Sequence, residues 1–355
     1  DFSEENAAMR TRKKILDLAV MAASSLLLMG NHAQAQSNDN YEIPRTEYGY
    51  PDLQGFWTNI SITTMTRPSG ADKLVVTPEE AVMLEQANIW NQIGESQEGL
   101  VDVEQRLEAG NSAAAFSTRG YNYFWIDPGT RLGTVRGEIR TSWITDPADG
   151  RIPYQEGAQA NQRNRAGIPR MGSFDGPETR PLAERCLVSF SNAGGPIMQN
   201  GMYNNTYQFV QTKDHVMILV EMVHDARIIP IGIPHSADGL PQWLGSSVGW
   251  YEGDTLVVET INPHPLQRAY ITSAGKLTER FTRWSDTQIV YEFIVEDPTL
   301  YAQTWKGEMS FNSSPEPLYE YACHEGNHAM PGILAGARVQ ELDGVTVRDN
   351  AEVEH

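Results

Sequence analysis

The chain has 355 residues, 40% of them hydrophobic and 21% charged, which is enough apolar material for one large core or two modest ones. Lys plus Arg number 27 against 46 Asp plus Glu, a formal net charge of -19. A surface of that sign repels phosphate backbones and anionic lipid, so no nucleic-acid partner is expected. The composition also excludes a collagen, a coiled coil and a wholly disordered chain.

Residues 1–35 read as upstream residues followed by a secretory signal peptide. Arg10, Arg12, Lys13 and Lys14 form a basic start just after Met9, and an apolar run extends from Leu18 to Met29. It closes on Ala33-Gln34-Ala35, the small-x-small pattern that signal peptidase cleaves. The run is short for a membrane span, so no stable span is expected after processing. Acidic and basic residues balance within this segment, so the acidity belongs to the mature protein. Export implies a periplasmic or secreted protein and permits a disulfide. Two cysteines, Cys186 and Cys323, allow one pairing.

Residues 36–50 are polar and turn-rich and read as a flexible arm. A first strand is expected over Gly55–Ile60. Thr77-Pro78-Glu79-Glu80 is a helix entry: Thr77 caps, Pro78 suits the first helical position and Glu80 completes a capping box. That helix is expected to pass Val82, Leu84 and Trp90 and fade by Gly94, with a second over Val101–Leu107. From about 95 to 200 the chain reads as an irregular insertion of wrapping loops, with one strand at Glu138–Thr145 stopped by Asp146-Pro147. Beyond 203 short strands dominate. Tyr203–Gln211, His215–Val223 and Arg227–Ile231 lead to a hairpin of Gly249–Tyr251 with Thr255–Ile261. A second hairpin pairs Lys276–Trp284 with Thr287–Glu296, and Thr304–Phe311 and Pro317–Ala322 complete the series. No long helices alternate with these strands, so a doubly wound α/β fold is disfavoured. The expected fold is mainly β, a single domain over 51–340 in which an antiparallel meander closes into a barrel, followed by a polar tail over 341–355.

Three clusters point toward chemistry. His324-Glu325-Gly326-Asn327-His328 has the His-Glu-x-x-His spacing of a zinc site. Gly326 and Asn327 are weak helix formers, Pro331 follows closely and no third ligand is evident, so no metal is expected, His324 and His328 being the candidates if one were. The second cluster, Glu221 to Arg227, ends one strand and enters another. Read as a strand it places Met222, His224 and Ala226 on one face and Glu221, Val223 and Asp225 on the other. His224 and His324 are the candidates for proton transfer, with Asp225 and Glu325 orienting them and Arg227 and Tyr203 stabilising oxyanion charge. The same residues also suit a buried ion-pair network that fixes a turn. Third, the stretch from Cys186 to Tyr207 has the composition of a binding loop: Gly194-Gly195-Pro196, then Met198, Met202, Asn204, Asn205 and Tyr207. Trp243, Trp250, Arg140 and Trp143 are further candidates for a pocket wall. No phosphate loop is present, and no organic cofactor is expected.

Four strings, Tyr203-Asn204-Asn205, Glu221 to Arg227, Trp250 to Thr260 and Tyr319 to Asn327, resemble a broad family of secreted, largely uncharacterised bacterial proteins. Pro51-Asp52-Leu53-Gln54-Gly55-Phe56-Trp57 resembles their opening, and the likeness extends over most of 50–340. The resemblance implies export and a lipocalin-like barrel but no particular reaction, and an aromatic residue is common in that family at the position of His328. The function expected from the residues is cofactor-independent acid–base chemistry, of isomerase, cyclase, lyase or hydrolase type, on a small, largely apolar oxygenated molecule. The alternative is a non-catalytic binding protein for a hydrophobic or amphipathic small molecule. A homo-oligomer is compatible with either.

Overall fold

Strand after strand in the second half of the chain alternates apolar and polar residues, and that pattern closes on itself. The computed structural model describes residues 41–92, 127–158, 174–189, 192–236, 239–267 and 270–344. The expected helix at 101–107 and the signal segment lie outside them. Tyr41–His355 form one compact unit. The strands are β1 (Gly55–Thr58), β2 (Val75–Val76), β3 (Thr134–Val135), β4 (Glu138–Arg140), β5 (Ile144–Asp146), β6 (Thr206–Gln211), β7 (His215–Val220) and β8 (Ala226–Pro230). They continue as β9 (Ser246–Glu252), β10 (Thr255–Ile261), β11 (Lys276–Ser285), β12 (Gln288–Glu296) and β13 (Trp305–Ser313). Helices α1 (Pro78–Ala87) and α2 (Ala329–Leu342) lie among them.

The main sheet runs β8-β7-β6-β1-β13-β12-β11-β10-β9, every pair antiparallel, with β5 sharing the β13 edge. It curls through 304° about its axis, a nearly closed barrel of the expected class. A bridge between Ile231 and Gly249 brings the two ends together, with the Gly232 N–H donating to the Gly249 carbonyl at 2.8 Å. The approach is close there: a Cβ on Gly249 would meet Ile231 Cδ1 at 2.9 Å and Ile229 Cγ2 at 3.0 Å, so both side chains would have to shift.

The interior is aromatic. Phe281 stacks on Tyr291 with ring centroids 4.9 Å apart, and Tyr207 meets Phe311 edge-on at 4.9 Å. Phe209 packs edge-on against both Phe281 and Phe311. A second group, Phe293, Tyr270 and Tyr301, surrounds Trp305.

The two ends of the barrel differ. Tight turns join β6 to β7, β9 to β10 and β11 to β12 at one end, where residues 41–53 lie across them. Tyr50 stacks on Tyr251 at 4.2 Å, Arg45 pairs with Asp254, and Gln211 bonds the Pro51 carbonyl and the Tyr251 hydroxyl. At the other end, where β6, β8, β9, β11 and β13 begin, the connections are long and irregular. Such ends carry function more often than tight-turn ends do.

Several expected elements take different bounds. The capping box of α1 forms as read, Glu80 Oε2 accepting from the Thr77 N–H at 2.9 Å, but α1 breaks after Ala87 because Asn88 is extended, and helical conformation resumes over 89–92. The expected strand 138–145 is two strands in different sheets. Between them the Thr141 N–H donates to Leu74 and that of Trp143 to Thr64, so the chain crosses from the small β2-β4-β3 sheet to the barrel. β6 starts late because Asn204 has φ +54 and the Asn205 amide is engaged with both backbone groups of Gly201. The expected strand 215–223 ends at Val220, since Val223 and His224 take φ +60 and +47 in a 3-10 turn. That conformation is costly for a β-branched residue, and burial of the Val223 side chain holds it. Residues 317–322 form no strand and cross the loop end irregularly.

Candidate functional site

At the loop end two connecting segments meet. The first runs from Cys186 to Asn205, the second from Tyr321 to His328, and the Cys186–Cys323 disulfide joins them with Cα atoms 5.9 Å apart. This is the pairing the cysteine count allowed.

Beside the disulfide sit three of the expected catalytic residues. The turn at 222–224 swings His224 to the surface, where its Nδ1 lies 3.2 Å from the Tyr321 carbonyl. The alternate-face placement expected for a strand over 221–226 is therefore replaced by a turn. Tyr203 is half-buried and its hydroxyl bonds that of Tyr321, which burial and this neighbour push up to about 12. Asp225 Oδ2 accepts from the Ser189 N–H at 3.3 Å. Burial raises its carboxyl to about 7, against the smaller opposing pulls of Ser189 and His224.

An acid whose folded pKa lies above its unfolded value of 3.8 binds more protons when folded, so stability falls as pH rises. The penalty is absent below about pH 4 and complete above about pH 7. Asp225→Asn is expected to remove that slope and, because the group is partly exposed, to stabilise by about 1–3 kcal/mol at pH 8 while changing little at pH 4. Urea midpoints at both pH values check this, and parallel curves for the two proteins would contradict it.

Arg227 points the other way, into the barrel. It is 3% exposed and pairs with both oxygens of Glu279, Nη1 to Oε1 at 2.9 Å and Nη2 to Oε2 more closely. Its Nη2 also reaches Ser247 Oγ at 3.3 Å and Thr260 Oγ1 at 3.2 Å. The Tyr291 hydroxyl donates to Glu279 Oε1 at 2.7 Å and accepts from the Met198 N–H at 3.1 Å. Burial works against the Arg227 charge, but Glu279 outweighs it and the guanidinium pKa rises. Burial also pushes the Tyr291 hydroxyl far up, with the Glu279 carboxylate adding to it.

Above this cluster the segment Ala193–Met198 is fully buried inside the barrel mouth. Three side chains of the wall hold its backbone: Tyr207 bonds the Ala193 carbonyl at 3.1 Å, Asn59 the Met198 carbonyl at 3.3 Å, and Tyr291 the Met198 N–H. Met198 and Tyr207 are thus core residues beside the cluster. Asn205 is buried and organises the turn at Gly201, while Asn204 lines an outer groove of about 360 Å³ with Thr58, Ile60, Glu221 and Tyr319.

The remaining expected residues lie elsewhere. Met202 is exposed, and so are His324, Glu325 and His328. His328 is the N-cap of α2, so the His-Glu-x-x-His string precedes a helix instead of riding on one. Trp143 is core, donating to Asn200 Oδ1 at 2.9 Å, and Arg140 is buried against Glu308 and Glu138. Trp243 packs on His264 at 4.0 Å, and Trp250 donates to Glu252 toward the tight-turn end. Among the described residues no three His, Cys, Asp or Glu side chains are grouped to hold a metal ion, and no helix is long and apolar enough to cross a membrane.

Glu279, Tyr291 and Asn59 are the site residues the sequence reading missed. Glu279 left a signal. It sits between Leu277 and Phe281 on the inward phase of β11, where a charge requires a partner. No family model, no curated protein and no solved structure matches this chain. The barrel and the disulfide stand on the structure, and the family likeness rests on the quoted strings alone.

Proposed function

We propose that this chain binds a small, largely apolar molecule at the loop end of the barrel, and that it does so outside the cytoplasm. The observation that carries the reading is the aromatic interior around Tyr207, Phe209, Phe281, Tyr291 and Phe311. Its mouth is filled by the irregular segment Ala193–Met198, with no sheet or helix hydrogen bonds in it. An apolar barrel entered from its loop end is a common ligand site. The Cys186–Cys323 bridge suits an oxidising compartment, and the basic, apolar and small-x-small pattern of residues 10–35 suits export.

The test is a titration of the full chain with the neutral fluorescent probe phenylnaphthylamine. Saturable one-to-one uptake is expected, together with a rise in Tm. At a hundredfold excess over Kd that rise corresponds to about 2.7 kcal/mol. Uptake that never saturates, with an unchanged Tm, would rule the binding reading out.

One observation favours acid–base catalysis as a second reading. Asp225 titrates near 7 beside His224 and the Tyr203–Tyr321 pair, which suits a group that takes and returns a proton at neutral pH. His324 and Glu325 are exposed and make no side-chain hydrogen bond among the described residues, so this reading rests on Asp225, His224 and Tyr203.

A further inference from the structure

The hydrogen bonding around the buried segment is incomplete on both its sides. Arg227 Nε–H has no acceptor among the described residues, although the side chain is almost fully buried. Asn59 Oδ1, on a residue 2% exposed, likewise has no donor, while its amide nitrogen bonds the Met198 carbonyl and the Tyr207 hydroxyl. Such groups are rare in folded proteins because each forfeits its bonds to water. Between the two runs Gly194-Gly195-Pro196-Ile197-Met198. A Cβ on Gly195 would lie 3.2 Å from Arg227 Nη1, and one on Gly194 would lie 3.1 Å from Asp225 Oδ2. Bare backbone is thus laid against Nη1 and Cζ of the guanidinium, whose Nη groups are bonded while Nε is not.

The charge of the cluster limits what else fits there. The Arg227 charge is already matched by both oxygens of Glu279, so the pair carries no net charge. A second acidic side chain, Asp225, lies against the segment at Gly194. A carboxylate ligand would bring an uncompensated negative charge into this setting, which is strongly unfavourable. A hydrocarbon would leave Nε–H unmade. A carbonyl oxygen supplies the acceptor and adds no charge.

We propose that Arg227 Nε is the polar anchor for a neutral, apolar ligand bearing a carbonyl group, such as a ketone, ester or lactone, which displaces the Gly194–Met198 backbone from the barrel mouth. The inference rests on the binding reading and names the chemical class of its ligand. Segment 194–198 then occupies the site in the free chain, and ligand affinity is lowered by the work of moving it.

The experiment uses the full, disulfide-bonded chain with phenylnaphthylamine bound, displaced by three molecules of similar size: butylbenzene, benzylacetone and hydrocinnamate at pH 8. Affinities are compared after correction for partitioning into octanol. Benzylacetone is expected to bind about tenfold more tightly than butylbenzene, the value of one added hydrogen bond to a charged donor, and hydrocinnamate at least tenfold more weakly than benzylacetone. Arg227→Lys keeps a cation opposite Glu279 but lacks the Nε–H, and is expected to bring the ketone-to-hydrocarbon ratio toward one. The wild-type series decides the matter even if that variant does not fold. Equal displacement by all three, or preference for the acid, overturns the ligand class and leaves the binding reading standing. Failure of the probe itself to bind overturns both.

Discussion

Arg227→Met is expected to destabilise the chain by about 3–5 kcal/mol, because it leaves Glu279 buried with no counter-charge. Glu279 is fully buried in the barrel wall, opposite Val258 on β10 and Phe293 on β12. Its carboxylate is held by Arg227 and the Tyr291 hydroxyl. Solvent cannot replace the lost guanidinium without opening the mouth. The double variant Arg227→Met, Glu279→Leu removes both charges at similar volume and is expected to recover most of the loss. What remains is about 1 kcal/mol, for the acceptor taken from Tyr291. Urea unfolding of the two single variants and the double variant gives the coupling between the sites. A double variant as unstable as the sum of its singles would mean that the pair is not an isolated internal unit.

The same pair shows how far the sequence could be read. The hairpins β9–β10 and β11–β12 were legible because each has a short polar turn between runs of period two, and the observed registers keep that phase. The capping box of α1 was legible because all of its chemistry lies within four residues. The Glu221–Arg227 string pointed to a site, but its split was hidden. Val223 and His224 enter a left-handed turn that no local residue preference favours, so His224 leaves for the surface while Arg227 turns inward. Glu279 lies 52 residues beyond Arg227, and only closure of the barrel brings them together. The segment Gly194–Met198 read as a binding loop by composition; that it fills the mouth depends on contacts with Asn59, Tyr207 and Tyr291 on three different strands or their ends.

Loss of the Cys186–Cys323 bridge, by Ser substitution of both residues or by reduction, is expected to lower the unfolding free energy by about 3–5 kcal/mol. The bridge spans 137 residues, and the constraint it places on the unfolded chain grows with loop length. The loop it closes contains every strand from β6 to β13, so the constraint acts on the barrel itself. The folded state loses something as well. Beyond β13 the chain is held by the Ser314 N–H on the Phe56 carbonyl, by His224 on the Tyr321 carbonyl, by the Tyr203–Tyr321 hydroxyl pair and by Arg338 on the Phe174 carbonyl. Helix α2 then buries little beyond Ala337. Without the bridge these contacts compete alone against the chain entropy of residues 314–344. Amide exchange across α2 should therefore rise sharply while β11–β13 stay protected at a reduced urea midpoint. An unchanged midpoint combined with early proteolysis near 314–328 would instead show a crossing segment that opens independently of the barrel.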